Sequence, residues 1–367
     1  MTEKDKKDTS ALNVNGGSTS PGQVNQVAVQ KYRKIKKKQL SAGEYFEGIR
    51  SGNRTVLSKA ITLIESSLPA HQDKAQEIIT RCLPWMGNSI RLGITGVPGV
   101  GKSTFIESFG KYLTSRNHKV AVLAIDPSSE RSRGSILGDK TRMEALSSDP
   151  MAFIRPSPSG GSLGGVARKT RETIILCEAA GFDTVVIETV GVGQSETVVH
   201  SMVDFFLLLM LAGAGDELQG IKRGIMEMAD GIAINKADGS NMDKARLAKM
   251  EYENALHLFP LPPSGWTPKV LTCSAKANIG IADIWSMVCD YKSLTLANGY
   301  FNGKRKEQLK YRMYETIQEQ LNQHFFENPE VKSEAVRLEK EVLENRITAY
   351  SAAGKLLKKY SRQLRKE

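Results

Sequence analysis

Cysteine is scarce in this chain of 367 residues, and the four that occur (Cys82, Cys177, Cys273 and Cys289) lie far apart. None forms a CxxC pair and no histidine cluster stands near them, so neither a disulfide scaffold nor a cysteine-rich zinc site is expected. The five histidines (His71, His118, His200, His257 and His324) show no ligand spacing. Long apolar runs are missing too. The longest, Phe205 to Ala212, falls far short of the roughly 20 residues a membrane-crossing helix needs. The first residues lack an apolar signal core, and Glu3, Asp5 and Asp8 argue against a transit peptide. A reducing cytoplasm is the expected setting, with no membrane partner.

What is present is a globular composition, 40% hydrophobic and 25% charged, with a net charge of +11. That length and composition can bury a sizeable core. The positive excess sits at the two ends: residues 1–38 and 300–367 carry all of it, and residues 39–299 are balanced. A basic chain raises the question of nucleic acid. No RNA- or DNA-binding motif accompanies the charge, so solvated basic faces are expected and nucleic acid is not.

Residues 1–40 read as a disordered basic leader, rich in Ser, Thr, Asn, Gln and Gly and closing on the run Lys31 to Lys38. Over 41–88, apolar residues recur at helical spacing, and Gly52 and Pro69 divide them into three short helices. Over 89–299, short apolar runs alternate with helical stretches. The expected strands are Ile90–Thr95, Val120–Asp126, Ala152–Arg155, Thr184–Glu188, Phe205–Leu211, Gly231–Asn235 and Val270–Cys273. The expected helices include Ser103–Ser115, Gly165–Ala180, Leu218–Met228, Asp243–Leu258 and Ile281–Leu296. Continuous apolar strands joined by helical crossovers imply an α/β fold with a mostly parallel central sheet flanked by helices. Over 300–367 the pattern is helical, in two long segments, 304–326 and 330–364, broken at Asn328-Pro329. Leu309, Met313, Ile317, Leu321 and Phe325 form one apolar stripe there, and Val331, Ala335, Leu338, Val342 and Leu343 form another. Such a hairpin either folds back on the core or makes a partner interface.

The sharpest motif is Gly96-Val97-Pro98-Gly99-Val100-Gly101-Lys102-Ser103-Thr104, which stands between an expected strand and an expected helix. It matches the phosphate-binding P-loop, whose glycines let backbone N–H groups turn inward around a phosphate. Lys102 would neutralise the β- and γ-phosphates and the Ser103 hydroxyl would bind Mg²⁺. The second motif is Asn235-Lys236-Ala237-Asp238, after another strand. A carboxylate at Asp238 can accept from guanine N1–H and the exocyclic amine, a pair adenine does not offer. Ser274-Ala275-Lys276 follows the next strand and suits a loop closing over the base through backbone N–H groups.

The third group is acidic: Asp126, Asp139 and Glu188 are hard oxygen ligands of the kind Mg²⁺ takes beside a nucleotide. Glu188-Thr-Val-Gly191 occupies the place where many GTPases carry Asp-x-x-Gly-Gln, and Gly191 can offer its N–H to the γ-phosphate. The next residue is Val192, so the usual water-orienting amide is absent and slow intrinsic hydrolysis is expected. Gln194 is the nearby candidate to orient the water. The segment Gly213–Gly224, with Asp216, Glu217, Gln219, Lys222 and Arg223, could form a further switch.

Six blocks in order carry a resemblance over about residues 41–345. They are Gly96–Thr104, Asp126–Ser129, Ser135–Met143, Glu188–Glu196, Gly213–Lys222 and Asn235–Asp238. Together they resemble the MeaB/ArgK-like G proteins, relatives of the methylmalonic aciduria type A protein. The resemblance implies a P-loop GTPase using GTP and Mg²⁺, with Lys102, Ser103, Asp126, Asp139, Glu188, Asn235, Asp238 and Ser274–Lys276 as its nucleotide and metal residues. It implies a chaperone of an adenosylcobalamin-dependent acyl-CoA mutase, typically methylmalonyl-CoA mutase, with Gly213–Lys222 coupling to the mutase and 300–367 as a homodimerisation arm. Relatives have also been described as kinases of periplasmic amino-acid transport, a reading that the guanine motif opposes. A metallochaperone GTPase is a third reading, opposed by the scattered Cys and His. A scaffold without hydrolysis is a fourth.

Overall fold

The computed structural model describes residues 40–125, 143–156, 163–189, 195–213 and 223–364. The leader, Asp126, Asp139, Gly191, Gln194 and most of the Gly213–Lys222 block lie outside the described residues.

Three helices open the described chain: α1 (Ala42–Arg50), α2 (Arg54–Glu65) and α3 (Pro69–Cys82). Asn53 caps α2 through its Oδ1, which accepts from the amides of Thr55 and Val56 at 3.0 and 3.1 Å. Their apolar faces, including Ile49, Leu57, Ile61 and Ile78, are buried.

The elements that follow are β1 (Ile90–Gly96), α4 (Lys102–Thr114), β2 (Val120–Ile125), α5 (Glu144–Ser147), β3 (Ala152–Arg155), α6 (Leu163–Ala179), β4 (Thr184–Thr189) and α7 (Ser195–His200). They continue through β5 (Phe205–Leu211), α8 (Arg223–Met228), β6 (Gly231–Asn235), α9 (Met242–Leu256), β7 (Lys269–Thr272) and α10 (Ile281–Ala297). The seven strands form one sheet in the order β3-β2-β4-β1-β5-β6-β7, and every pairing is parallel. All seven expected strands are present, with ends moved by one residue or left unchanged. Glu188 lies within β4 rather than at its end, because β4 pairs one residue further, Thr189 against Ile125.

The strands read as mostly apolar runs because both faces are covered. On one face Leu92, Ile94, Phe205 and Leu207 pack with Phe105 and Phe109 of α4 and Tyr291 of α10. On the other, Leu208, Met210, Ile232 and Ile234 pack with Ala245 and Tyr252 of α9.

The C-terminal region consists of α11 (Tyr300–Glu327), α12 (Pro329–Leu343) and α13 (Ala349–Leu364). A polar face of α11 docks on the core. Arg305 grips the buried carboxylate of Asp204 at 2.8 and 2.6 Å and also donates to the carbonyls of Gly87 and Ser89. Arg312 pairs with Glu172 at 3.0 Å, and Arg171 pairs with Glu315. The apolar stripe faces outward: Leu309, Met313, Ile317 and Leu321 are 45–60% exposed. In the second stripe, Val331 and Leu338 are buried.

The second long segment is not continuous, contrary to the sequence expectation. It stops after Leu343 because Asn345 takes a left-handed φ of 56°. The Asn345 amide donates to the Val342 carbonyl at 3.0 Å and the Arg346 amide to the Glu341 carbonyl at 2.8 Å. That pair of bonds is a Schellman stop, with asparagine in the place glycine usually takes. Asn345→Val is expected to cost about 1–2 kcal/mol, whereas Asn345→Gly should be near neutral. Denaturant unfolding of the two variants checks this.

Candidate functional site

Three loops meet at the carboxyl ends of β1, β6 and β7, the edge where open α/β sheets bind ligands. The first runs from Gly96 to Lys102. A Cβ at Gly96 would stand 2.5 Å from the Leu209 carbonyl oxygen, so only glycine fits beside β5. Gly101 has a φ of 92° and directly precedes α4, whose start has no side-chain cap. The amides of that first turn therefore point at the loop mouth, an arrangement suited to a phosphate. Val97 to Val100 form the loop between these two glycines. Lys102 Nζ donates to the carbonyls of Gly96 at 2.9 Å and Val97 at 3.4 Å, which sets its ammonium across the mouth. Burial pulls the Lys102 ammonium below its ordinary pKa, and the carboxylates of Glu188 and Glu196 push it back up. Thr104 is exposed on α4.

Asn235 joins the three loops. It is 1% exposed. Its Nδ2 donates to the Val100 carbonyl at 2.8 Å, and its Oδ1 accepts the Ala275 amide at 3.1 Å. The same oxygen accepts from the Cys273 thiol at 3.6 Å. Burial pushes that thiol's pKa up to about 12, so it remains a donor. Lys236, with a φ of 59°, sends its Nζ to the Gly99 carbonyl at 2.8 Å. Asp238 accepts a hydrogen bond from the Ser274 hydroxyl, which in turn accepts from the Ala277 amide at 3.1 Å. Ser274 thus positions the carboxylate with its side chain. Lys276 is exposed on the same loop.

Glu188 lies close to the loop on β4, where the Ser103 hydroxyl donates to its Oε1 at 3.2 Å. A hydroxyl and a largely buried carboxylate so close together are both hard oxygens, a donor set that suits Mg²⁺ with waters completing the shell. Beside them the hydroxyls of Thr189 and Thr95 bond each other at 2.8 Å in the core, tying β4 to β1.

Two contributors were not assigned from the sequence. Ser108 of α4 donates to the Ala275 carbonyl at 2.6 Å, fixing the base loop to the phosphate-loop helix. Its signal is only a polar residue at a half-buried helix position. Glu196 is 4% exposed and close enough to act on Lys102. It stood inside the fourth sequence block without a role.

A glycine-rich phosphate loop on β1, roofed by a carboxylate loop on β6 and a third loop on β7, defines a P-loop guanine-nucleotide hydrolase. The family model described as "Methylmalonyl Co-A mutase-associated GTPase MeaB" matches residues 57–330, and the chain belongs to that family. It is 48% identical over 290 residues to the GTPase ArgK of Escherichia coli, covering 79% of this chain and 88% of that protein. It is 44% identical over 334 residues to the mitochondrial methylmalonic aciduria type A homolog of Mus musculus, covering 88% and 80%. The solved structure of a LAO/AO transport system kinase superposes with a TM-score of 0.71 at 38% identity, over 87% of this chain and 97% of that one. No helix among the described residues is long and apolar enough to cross a membrane.

Proposed function

We propose that this GTPase is a G-protein chaperone, gating cofactor loading and protecting or reactivating an adenosylcobalamin-dependent acyl-CoA mutase, with methylmalonyl-CoA mutase the foremost client. The observation that carries the reading is the match to a family described by its association with that mutase, over residues that include the whole nucleotide site. The reaction is GTP and water to GDP and phosphate. Residues 89–299 act as the GTPase domain, 41–88 as its helical preface and 300–367 as a homodimerisation arm. The exposed stripe Leu309, Met313, Ile317 and Leu321 supports a second copy as the arm's partner. Three buried cysteines and one exposed, all unpaired, fit a reducing cytoplasm.

In the proposed mechanism, amides of the Gly96–Ser103 loop hold the β- and γ-phosphates and Lys102 absorbs the charge that develops between them. Ser103 and Glu188, joined by Asp126 and Asp139, would hold Mg²⁺, and the ion would supply further charge neutralisation. Asp238, held by Ser274, selects guanine, and Lys276 and Ala275 border the base. In this reading Gly191 would offer its amide to the γ-phosphate and Gln194 would orient the attacking water, since Val192 carries no amide side chain to do so. With that water weakly held, intrinsic turnover is slow and contact with the mutase accelerates it. Phosphate release by the purified protein, alone and with the cognate mutase, tests this: the expected result is a rise of at least about tenfold, and equal rates would overturn the chaperone reading.

A second reading, a kinase linked to amino-acid transport, draws only on the name carried by the LAO/AO structure. The Asp238–Ser274 pair disfavours it, because it prepares a carboxylate for guanine. ATP binding as tight as GTP binding would restore it.

A further inference from the structure

A second cleft lies along β3, three strands from β1 and so roughly 14 Å across the sheet from the strand that carries the phosphate loop. It has a volume of about 510 Å³ and lies between α2 and the end of β3. Its α2 wall is the face Thr55, Ser58, Lys59 and Thr62, the i, i+3, i+4, i+7 set that shares one side of a helix. The opposite face of α2 is the buried one, Leu57, Ala60, Ile61 and Ile64. The cleft face therefore holds three hydroxyls and one ammonium and no carboxylate. Arg54, Arg155 and Ser147 add two guanidinium groups and a fourth hydroxyl, and Phe153 and Pro156 supply an apolar border.

The two guanidinium groups are held in place from behind. Arg155 is clamped by Glu65, with its Nε at 3.0 Å from Oε1, and extends a nitrogen toward the Thr62 hydroxyl at 3.4 Å. Arg54 is anchored through the Asp149 carbonyl at 3.1 Å, which fixes its position without cancelling its charge. Glu65 offsets one of the three positive charges, and Arg54 and Lys59 remain in excess. We propose that this cleft is a binding site for a phosphorylated small molecule, distinct from the nucleotide loop. The Arg155 fork is taken by Glu65 and the Thr62 hydroxyl donates to the Ser58 carbonyl, so the Arg54 guanidinium, the Lys59 ammonium and the Thr55 and Ser58 hydroxyls are the groups that suit the acceptor oxygens of a phosphoryl group. The volume is that of a metabolite site, and the apolar border gives an organic moiety a place to lie. The occupant is thus an organic phosphate rather than the bare ion.

The test uses the full-length protein with its phosphate loop saturated by GDP and Mg²⁺, so that added phosphates report on the cleft. Inorganic phosphate, pyrophosphate and adenosine 3′,5′-bisphosphate are titrated calorimetrically. The expected result is one saturable site for the bisphosphate, weakened at least about tenfold by Lys59→Glu and by Arg54→Gln, with GDP affinity unchanged in both variants. Lys59 is exposed, so its replacement leaves the core intact, and thermal unfolding verifies that. Saturable binding of pyrophosphate or phosphate alone would overturn the organic occupant. Absence of binding by all three, or binding indifferent to both substitutions, would overturn the site itself.

Discussion

Lys102→Ala is expected to lower the rate of GTP hydrolysis by about 10²–10³-fold, the usual cost of removing a fixed charge donor from a transition state. The ammonium already lies across the loop mouth, held by the Gly96 and Val97 carbonyls. Little reorganisation is needed for it to meet the β- and γ-phosphates. Because those carbonyls stay where the backbone puts them, the variant should fold normally, and its loss should fall on kcat more than on protein yield. Lys102→Arg should not restore the rate, since a planar fork does not replace a compact ammonium between phosphates. Single-turnover phosphate release at saturating GTP measures the effect. A rate within threefold of the parent would mean that the charge is supplied elsewhere.

Asp238→Asn is expected to weaken GTP binding by about 10³-fold while leaving ATP binding, whatever its strength, nearly unchanged. Two hydrogen bonds to a charged acceptor are lost, each worth roughly 1.5–3 kcal/mol. The new amide also turns a donor toward the donor edge of guanine. Ser274→Ala should show a smaller loss of the same kind, about tenfold, because it removes only the hydroxyl that holds Asp238 in place. Competition titrations of GTP against ATP check both variants. A preference for GTP that survives in Asp238→Asn would move guanine recognition to the backbone of Ser274–Lys276.

Much of this architecture was legible in the sequence because its signals are local. The strands announce themselves as apolar runs, since a parallel sheet covered on both faces needs most of its side chains to be apolar. The glycines at 96 and 101 are demanded by one close approach and one left-handed φ, so the phosphate loop reads directly. The stop at Asn345 escaped because asparagine on a helix surface looks like any polar residue until its φ is known. The clamp at Asn235 was legible as a motif but not as a mechanism. Its three partners, on the Val100, Cys273 and Ala275 positions, are brought together only by the strand order. The outward turn of the Leu309–Leu321 stripe was undecided for the same kind of reason: helical spacing says which residues share a face, and only the Arg305–Asp204 and Arg312–Glu172 pairs say which face meets the core.

The order of the strands also sets a schedule for the nascent chain. β1 is made first, yet it lies in the middle of the sheet, paired on one side with Thr184–Thr189 and on the other with Phe205–Leu211. Its partners must close long loops to reach it, the step that makes parallel sheets slow to form. The clamp around Asn235 is finished later still, when Cys273 and Ala275 emerge. GTP therefore cannot template the early stages of synthesis. It can stabilise only a chain whose sheet is already assembled through β7, so nucleotide occupancy marks the end of folding rather than guiding it.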